Sequence, residues 1–153
     1  MITRREAVEK HRELWNMIAD KTEETNDFVT KRGSGYFDDY SEADAPLNNC
    51  FCCEFDESLE HGSACNMCPI WWSNGNHCGY EEYGKWEGSE SIEDRIAYAR
   101  MIAELPEAEI VFRERKTGNE IRLTELLRNH DETDVKMMLG YGEIDFERRE
   151  PKI

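Results

Sequence analysis

The chain has 153 residues, of which 39% are hydrophobic and 35% are charged, and its formal net charge is −15. This length suits one domain, or one domain with a small addition, and the apolar fraction allows only a modest hydrophobic core. The acidic excess argues against direct nucleic-acid binding, which depends mainly on lysine and arginine contacts to phosphates, and no apolar run approaches the length of a membrane span.

The N-terminal residues predict a long amphipathic helix. Thr3-Arg4-Arg5-Glu6 has the pattern of a capping box. Apolar side chains then recur at three- and four-residue spacing, which predicts a helix from residue 4 to about residue 25. His11 and Trp15 lie on this apolar stripe, and we interpret both as core residues rather than as ligand-binding groups.

Residues 26–49 are predicted to form a loop that is rich in acidic side chains. Gly33-Ser34-Gly35 interrupts the helical pattern, and four carboxylates follow before Pro46: Asp38, Asp39, Glu42 and Asp44. The segment of residues 35–94 contains fourteen acidic residues and one basic residue, Lys85, for a net charge of −13. Charge confined in this way favours a basic partner, and the alternative is an acidic surface that serves only solubility.

All six cysteines lie between residues 50 and 78. Two C-x-x-C pairs, residues 50–53 and 65–68, can each direct two thiolates at one ion. We therefore predict a zinc site with four ligands: Cys50, Cys53, Cys65 and Cys68. Cys52 is expected to point elsewhere. The alternative is that another nearby side chain replaces one ligand: Cys78, His77 or His61.

Disulfide bonds are the other common use of clustered cysteines, and they need an oxidising compartment. The N-terminal sequence runs straight into the charged helix without the apolar stretch of a signal peptide. We therefore expect the chain in the cytoplasm, where thiols stay reduced. A shell of four thiolates leaves no open coordination position, so the zinc would stabilise the fold.

The residues after the second pair are rich in aromatic side chains. Trp71 and Trp72 are predicted to cover the metal site with apolar surface. Residues 79–86 mix aromatic and acidic side chains without the basic residues that nucleic-acid binding would need. We interpret this stretch as packing or as a protein interface, in which Glu81 and Glu82 would join the partner-binding surface.

The rest of the chain predicts a second helix and a small β-rich region. Ser91 has the position of a helix cap, and apolar residues recur until Leu105-Pro106 ends the helix. Alternating residues from 109 predict a hairpin, followed by a short helix and a last strand. The expected fold class is α+β. Residues 1–106 would form a helical domain in which two helices flank an embedded zinc module, residues 50–78. Residues 107–153 would form a β-β-α-β appendage.

The sequence lacks the common catalytic motifs: a nucleophile elbow, a phosphate loop, a zinc-protease helix and a dinucleotide fingerprint. No Cys/His/Asp constellation can be argued from spacing alone. We therefore expect a non-enzymatic protein, with a metallo-enzyme or thiol enzyme as the least favoured alternative.

Several segments together form a recognisable pattern: His11–Asn16, Cys50–Phe55, Cys65–Trp72, Tyr83–Trp86 and the helix that ends at Pro106. In this pattern residues 1–105 resemble a group of small proteins encoded by bacteriophages and prophages of Gram-positive bacteria. The resemblance implies a bacterial host cytoplasm and no particular activity. Residues from 109 onward lie outside it.

The expected function combines the charge with this resemblance. We expect a phage inhibitor that binds a basic host protein of defence or transcription. It would occupy the nucleic-acid-binding surface of that host protein, as a nucleic-acid mimic or anti-CRISPR protein does. The chain itself would bind neither nucleic acid nor membrane. The alternative is a zinc module of phage replication or transcription that acts through protein contacts or through three hairpin arginines: Arg113, Arg115 and Arg122.

Overall fold

A computed structural model describes most of the chain, namely residues 2–46, 49–59, 68–73, 78, 82–129, 131, 133–135, 137 and 144–151. The described helices are α1 (Arg4–Thr25), α2 (Phe51–Leu59), α3 (Glu82–Glu87), α4 (Ile92–Ala103) and α5 (Leu123–Asn129), with a short 3-10 helix at Arg32–Ser34. The strands are β1 (Glu109–Glu114), β2 (Glu120–Arg122) and β3 (Ile144–Arg149). The α+β class is confirmed at this level.

Helix α1 begins and ends at local signals. The Glu6 backbone N–H donates to the Thr3 hydroxyl over 3.2 Å, and the Thr3 N–H donates to the Glu6 carboxylate over 2.9 Å. This is the predicted capping box. Asn26 ends the helix in the left-handed conformation, with a φ of 51°, which asparagine tolerates better than most residues.

Helices α1 and α4 form the helical core. Ile18 and Ala99 are fully buried on their facing sides. His11 is 3% exposed and donates from Nε2 to the Ile102 carbonyl over 3.2 Å, which fixes the neutral tautomer. An ion pair between Arg100 and Asp20, at 2.5 Å, covers the solvent side of the contact. The prediction that His11 is a core residue is confirmed.

The strands form one antiparallel sheet in the order β2-β1-β3. In its register Phe112 of β1 pairs with Ile121 on one side and with Phe146 on the other. Among the described residues from 109 to 149, the elements follow in the order strand, strand, helix and strand, as the sequence predicts. Buried residues of the sheet and of the helices belong to one continuous apolar cluster.

The residues just before β1, together with Arg148 of β3, hold the segment that follows Cys68. The Ala108 N–H donates to the Pro69 carbonyl over 2.8 Å, and the Trp71 N–H donates to the Pro106 carbonyl over 2.9 Å. Arg148 of β3 lies across the same segment. The C-terminal region is therefore part of the support of the cysteine-rich segment, a role that the sequence does not reveal.

Candidate metal centre and acidic surface

The first cysteine pair lies at the start of α2. The Cys50 sulfur accepts a hydrogen bond from the Cys53 backbone N–H over 3.3 Å, as the side chain of an N-cap residue does. The pKa of Cys50 is lowered to about 7, mainly by a hydrogen bond from the Cys53 side chain. The charge of Lys31 lowers this pKa further, whereas burial raises it. Cys50 is therefore partly ionised near neutral pH.

Cys52 lies on the buried side of α2 and is 1% exposed. A hydrogen bond with the Cys68 side chain is the main reason that the pKa of Cys52 is raised well above its usual value, and burial is the second. Consecutive residues of an α-helix point about 100° apart, so Cys52 and Cys53 leave the helix in different directions. The Cys52 thiol lies beside Cys68. The expectation that Cys52 points away from the zinc site stays a prediction, because Cys65 lies outside the described residues.

Backbone and side-chain contacts hold Cys68 in place. Arg148 donates from Nε to the Cys68 carbonyl over 3.0 Å and from Nη2 to the Ile70 carbonyl over 2.5 Å. Its guanidinium also lies 5.5 Å from the Trp71 ring centroid. Trp72 is buried and meets His11 edge to face, with ring centroids 6.0 Å apart. The two tryptophans thus anchor this segment to β3 and α1.

Cys78 lies near the hydroxyl of Tyr83. The pKa of Tyr83 is raised to about 12, chiefly by burial, then by Glu87, and also by the charges of Cys78 and Cys50. Both cysteines are therefore close to the same side chain. The remaining members of the predicted site lie outside the described residues: Cys65, His61, His77 and Glu81.

The described thiols suit zinc in their chemistry. All five are free of disulfide bonds, and soft thiolate ligands are those that zinc prefers in closed structural sites. Within the described part of the chain, no three His, Cys, Asp or Glu side chains are arranged to hold a metal ion. Cys65, one of the four predicted ligands, is not among these residues. The zinc site therefore stays a prediction.

The acidic loop is attached to α2 by an aromatic cluster. Phe37 stacks on Phe51 with ring centroids 5.7 Å apart, and Tyr36 and Tyr40 pack around this pair. Phe37 and Phe51 are 5% and 2% exposed. The four carboxylates of the loop are all exposed, and no ion pair among the described residues includes one of them: Asp38, Asp39, Glu42 and Asp44.

Glu82 does not belong to this surface. It is the first residue of α3, is 4% exposed, and accepts hydrogen bonds from the backbone N–H and hydroxyl of Ser73. Its carboxylate therefore fixes α3 to the segment after Trp72. The prediction that Glu82 contacts a partner is wrong, because the side chain is committed to an internal contact.

The three hairpin arginines are all engaged in ion pairs within the sheet. Arg113 pairs with Glu120 at 2.7 Å, Arg115 with Asp145 at 2.6 Å, and Arg122 with Glu109 at 2.9 Å. Hydrogen bonds from Arg149 and then Arg113 lower the pKa of Glu120 to about 2. The sheet surface therefore alternates in sign and offers no continuous basic stripe to a phosphate backbone.

No protein-family model, curated protein or solved structure matches the chain. Among the described helices, none combines the length and the apolar character needed to cross a membrane. The geometry itself defines a cluster of thiols at the start of α2, with an exposed acidic loop fixed against the same helix.

Proposed function

We propose that this chain is a phage-encoded, zinc-stabilised acidic protein that binds a basic host protein and occupies its nucleic-acid-binding surface. The observation that carries the proposal is the loop of residues 38–44. It presents four exposed carboxylates, and the sequence has no lysine or arginine between residues 33 and 84 to neutralise them.

The carboxylates of the loop would take the place of backbone phosphates. A carboxylate that is desolvated against arginine or lysine forms a charge-assisted hydrogen bond worth about 1.5–3 kcal/mol. The loop is held in advance by Phe37 and Phe51, which reduces the ordering cost of binding. The negative field of residues 35–94 would also accelerate encounter with a basic partner.

Zinc would stabilise the fold and would take no part in a reaction. Bound by Cys50, Cys53, Cys65 and Cys68, it would supply folding free energy to the segment that contains α2. Since Phe51 of α2 packs against Phe37, a stable α2 keeps the acidic loop in place. The proposed metal site and the proposed partner surface are thus linked through the aromatic cluster around Phe51.

Direct binding of nucleic acid has less support. The hairpin arginines that would carry it each face a carboxylate in the sheet. A phosphate would have to displace these carboxylates in a protein with a net charge of −15.

The test compares two variants with the same change in net charge. One neutralises the loop by four substitutions: Asp38→Asn, Asp39→Asn, Glu42→Gln and Asp44→Asn. The control neutralises four exposed carboxylates elsewhere: Glu104→Gln, Glu114→Gln, Glu125→Gln and Glu150→Gln. Each immobilised protein is exposed to bacterial lysate at physiological salt, and captured proteins are identified by mass spectrometry.

We expect the wild type and the control to retain the same basic nucleic-acid-binding protein and the loop variant to lose it. Equal capture by both variants would show that the loop is not the binding surface. Tight binding of DNA or RNA by the wild type itself would move the function to the hairpin around Arg113 and Arg122.

A further inference from the structure

Two buried thiols from different parts of the cysteine-rich segment are in contact. Cys52 of α2 and Cys68 are 1% and 5% exposed, and their side chains are hydrogen-bonded to each other. Both belong to the apolar core, and neither takes part in a disulfide bond. The pair thus joins one predicted zinc ligand, Cys68, to a cysteine outside the predicted set.

Each member of this pair is fixed by its own contacts. Cys52 is flanked along α2 by Phe51 and Phe55, which are 2% and 0% exposed, so this helix is anchored in the core on both sides of the thiol. Arg148 of β3 donates to the Cys68 carbonyl over 3.0 Å and holds the backbone at that residue. The contact between the two sulfurs is therefore built into the packing of α2 against the Cys68 segment.

Apolar packing alone does not account for the pair. A buried cysteine often acts as a small apolar residue, and that role requires no second thiol. Within the described part of the chain, no three His, Cys, Asp or Glu side chains are arranged to hold a metal ion. The hydrogen bonds between thiols there join them in twos, Cys50 with Cys53 and Cys52 with Cys68. Two sulfurs in contact are what a disulfide bond requires.

We propose that Cys52 and Cys68 form a redox switch, in which oxidation by hydrogen peroxide joins them in a disulfide bond and removes Cys68 from zinc. This inference rests on the proposed function, because it gives the metal site of that proposal a means of regulation. Loss of zinc destabilises α2 and, with it, the acidic loop that packs on Phe51. In the cytoplasm that the sequence predicts, disulfides are usually transient and redox-sensing.

The oxidation consumes one peroxide molecule for each disulfide. Cys68 is the more exposed member of the pair, and its thiolate attacks one peroxide oxygen. The O–O bond breaks, hydroxide leaves, and Cys68 becomes a sulfenic acid. The Cys52 sulfur then attacks the Cys68 sulfur, the S–O bond breaks, and water leaves with the Cys52 proton. The two sulfurs together lose two electrons, which the peroxide gains. Dithiothreitol reverses the change by thiol–disulfide exchange.

The test treats the reduced, zinc-loaded full chain with hydrogen peroxide and measures two products. Released zinc is followed with a chromogenic indicator. The remaining thiols are alkylated, and the chain is digested without reduction by chymotrypsin and a glutamate-specific protease, which cut after Phe51 and Glu54. We expect tandem mass spectrometry to find peptides joined at Cys52 and Cys68, which accumulate as zinc is released.

Cys52→Ala is the informative variant, because it removes one thiol of the pair and keeps all four predicted zinc ligands. Without Cys52 to trap the sulfenic acid, Cys68 is oxidised further to a sulfinic acid, which dithiothreitol does not reduce. We expect dithiothreitol to restore zinc binding after peroxide treatment in the wild type but not in Cys52→Ala. The control is Cys78→Ala, which removes a cysteine outside the pair and outside the predicted ligands and should recover like the wild type.

Three results would overturn the proposal: no joined peptides in the oxidised wild type, a disulfide only between Cys50 and Cys53, or equal recovery of zinc binding in the two variants. The first two need no variant, so they hold even if Cys52→Ala fails to fold. A reduced wild type that binds no zinc would refute the metal site of the proposed function itself. The joined peptides would then still decide whether Cys52 and Cys68 form a disulfide.

Discussion

His11 makes the stability of this protein depend on pH in a way that can be calculated. The ring lies between α1 and α4, is 3% exposed, and donates to the Ile102 carbonyl. Burial is the largest cause that lowers its pKa from 6.5 to about 4, and the hydrogen bond to Ile102 acts in the opposite direction. At neutral pH the folded chain therefore holds an uncharged imidazole.

The sign of the effect follows from the two pKa values. A histidine whose pKa is lower in the folded chain takes up its proton more readily when unfolded, so acid favours unfolding. The stabilisation is complete above pH 6.5 and is lost as the pH falls toward 4. The full difference corresponds to about 3 kcal/mol, of which about 2 kcal/mol is lost between pH 7 and pH 5.

The assay is unfolding by denaturant at pH 7 and pH 5 in the wild type and in His11→Gln. Glutamine retains an N–H donor for the Ile102 carbonyl but does not titrate. The cysteines and carboxylates titrate in both proteins, so the difference between them isolates His11. The wild type should lose about 2 kcal/mol more than the variant. Equal losses would show that the ring is not held neutral in the core.

Three further predictions concern the cysteine-rich segment. Elemental analysis should find about one zinc per chain, and a strong chelator should unfold α2; six cysteines paired in disulfides without metal would contradict this. Cys53→Ser should lose most of the zinc, whereas Cys52→Ser should keep it. Cys52→Ser should instead lose about 1–3 kcal/mol of stability, because a more polar hydroxyl replaces a buried thiol. Equal zinc loss in the two variants would make Cys52 a ligand. Arg148→Met should lower the free energy of unfolding by about 1–3 kcal/mol, because it removes donors to the carbonyls of Cys68 and Ile70. Denaturant unfolding measures this loss, and an unchanged midpoint would refute it.

Locally encoded features could be predicted well from the sequence. The capping box at Thr3 and the helical spacing that follows define α1 at the bounds that the structure has. Ser91 caps α4 by accepting from the Asp94 N–H over 3.1 Å. The hairpin and the last strand follow from the alternation of apolar residues. In each case neighbours along the chain determine the geometry.

Features that depend on distant contacts could not be predicted. Helix α2 begins inside a C-x-x-C pair, whose spacing predicts a metal-binding turn rather than a helix. Only Phe51 and Phe55 show the helical spacing in the sequence. Glu82 resembles other acidic residues in sequence, yet Ser73 holds it in the interior. Arg148 contacts carbonyls 78 and 80 residues away, and no local pattern indicates such a contact.

The most direct test of the proposed function is displacement of nucleic acid from the basic partner that the wild type captures. The measurement is the fluorescence anisotropy of a labelled nucleic acid bound to that partner, during titration with the wild type and with the variant neutralised at residues 38–44. The account predicts that the wild type returns the anisotropy to that of free nucleic acid and that the loop variant leaves it high. A partner that binds this chain and its nucleic acid simultaneously would contradict the account.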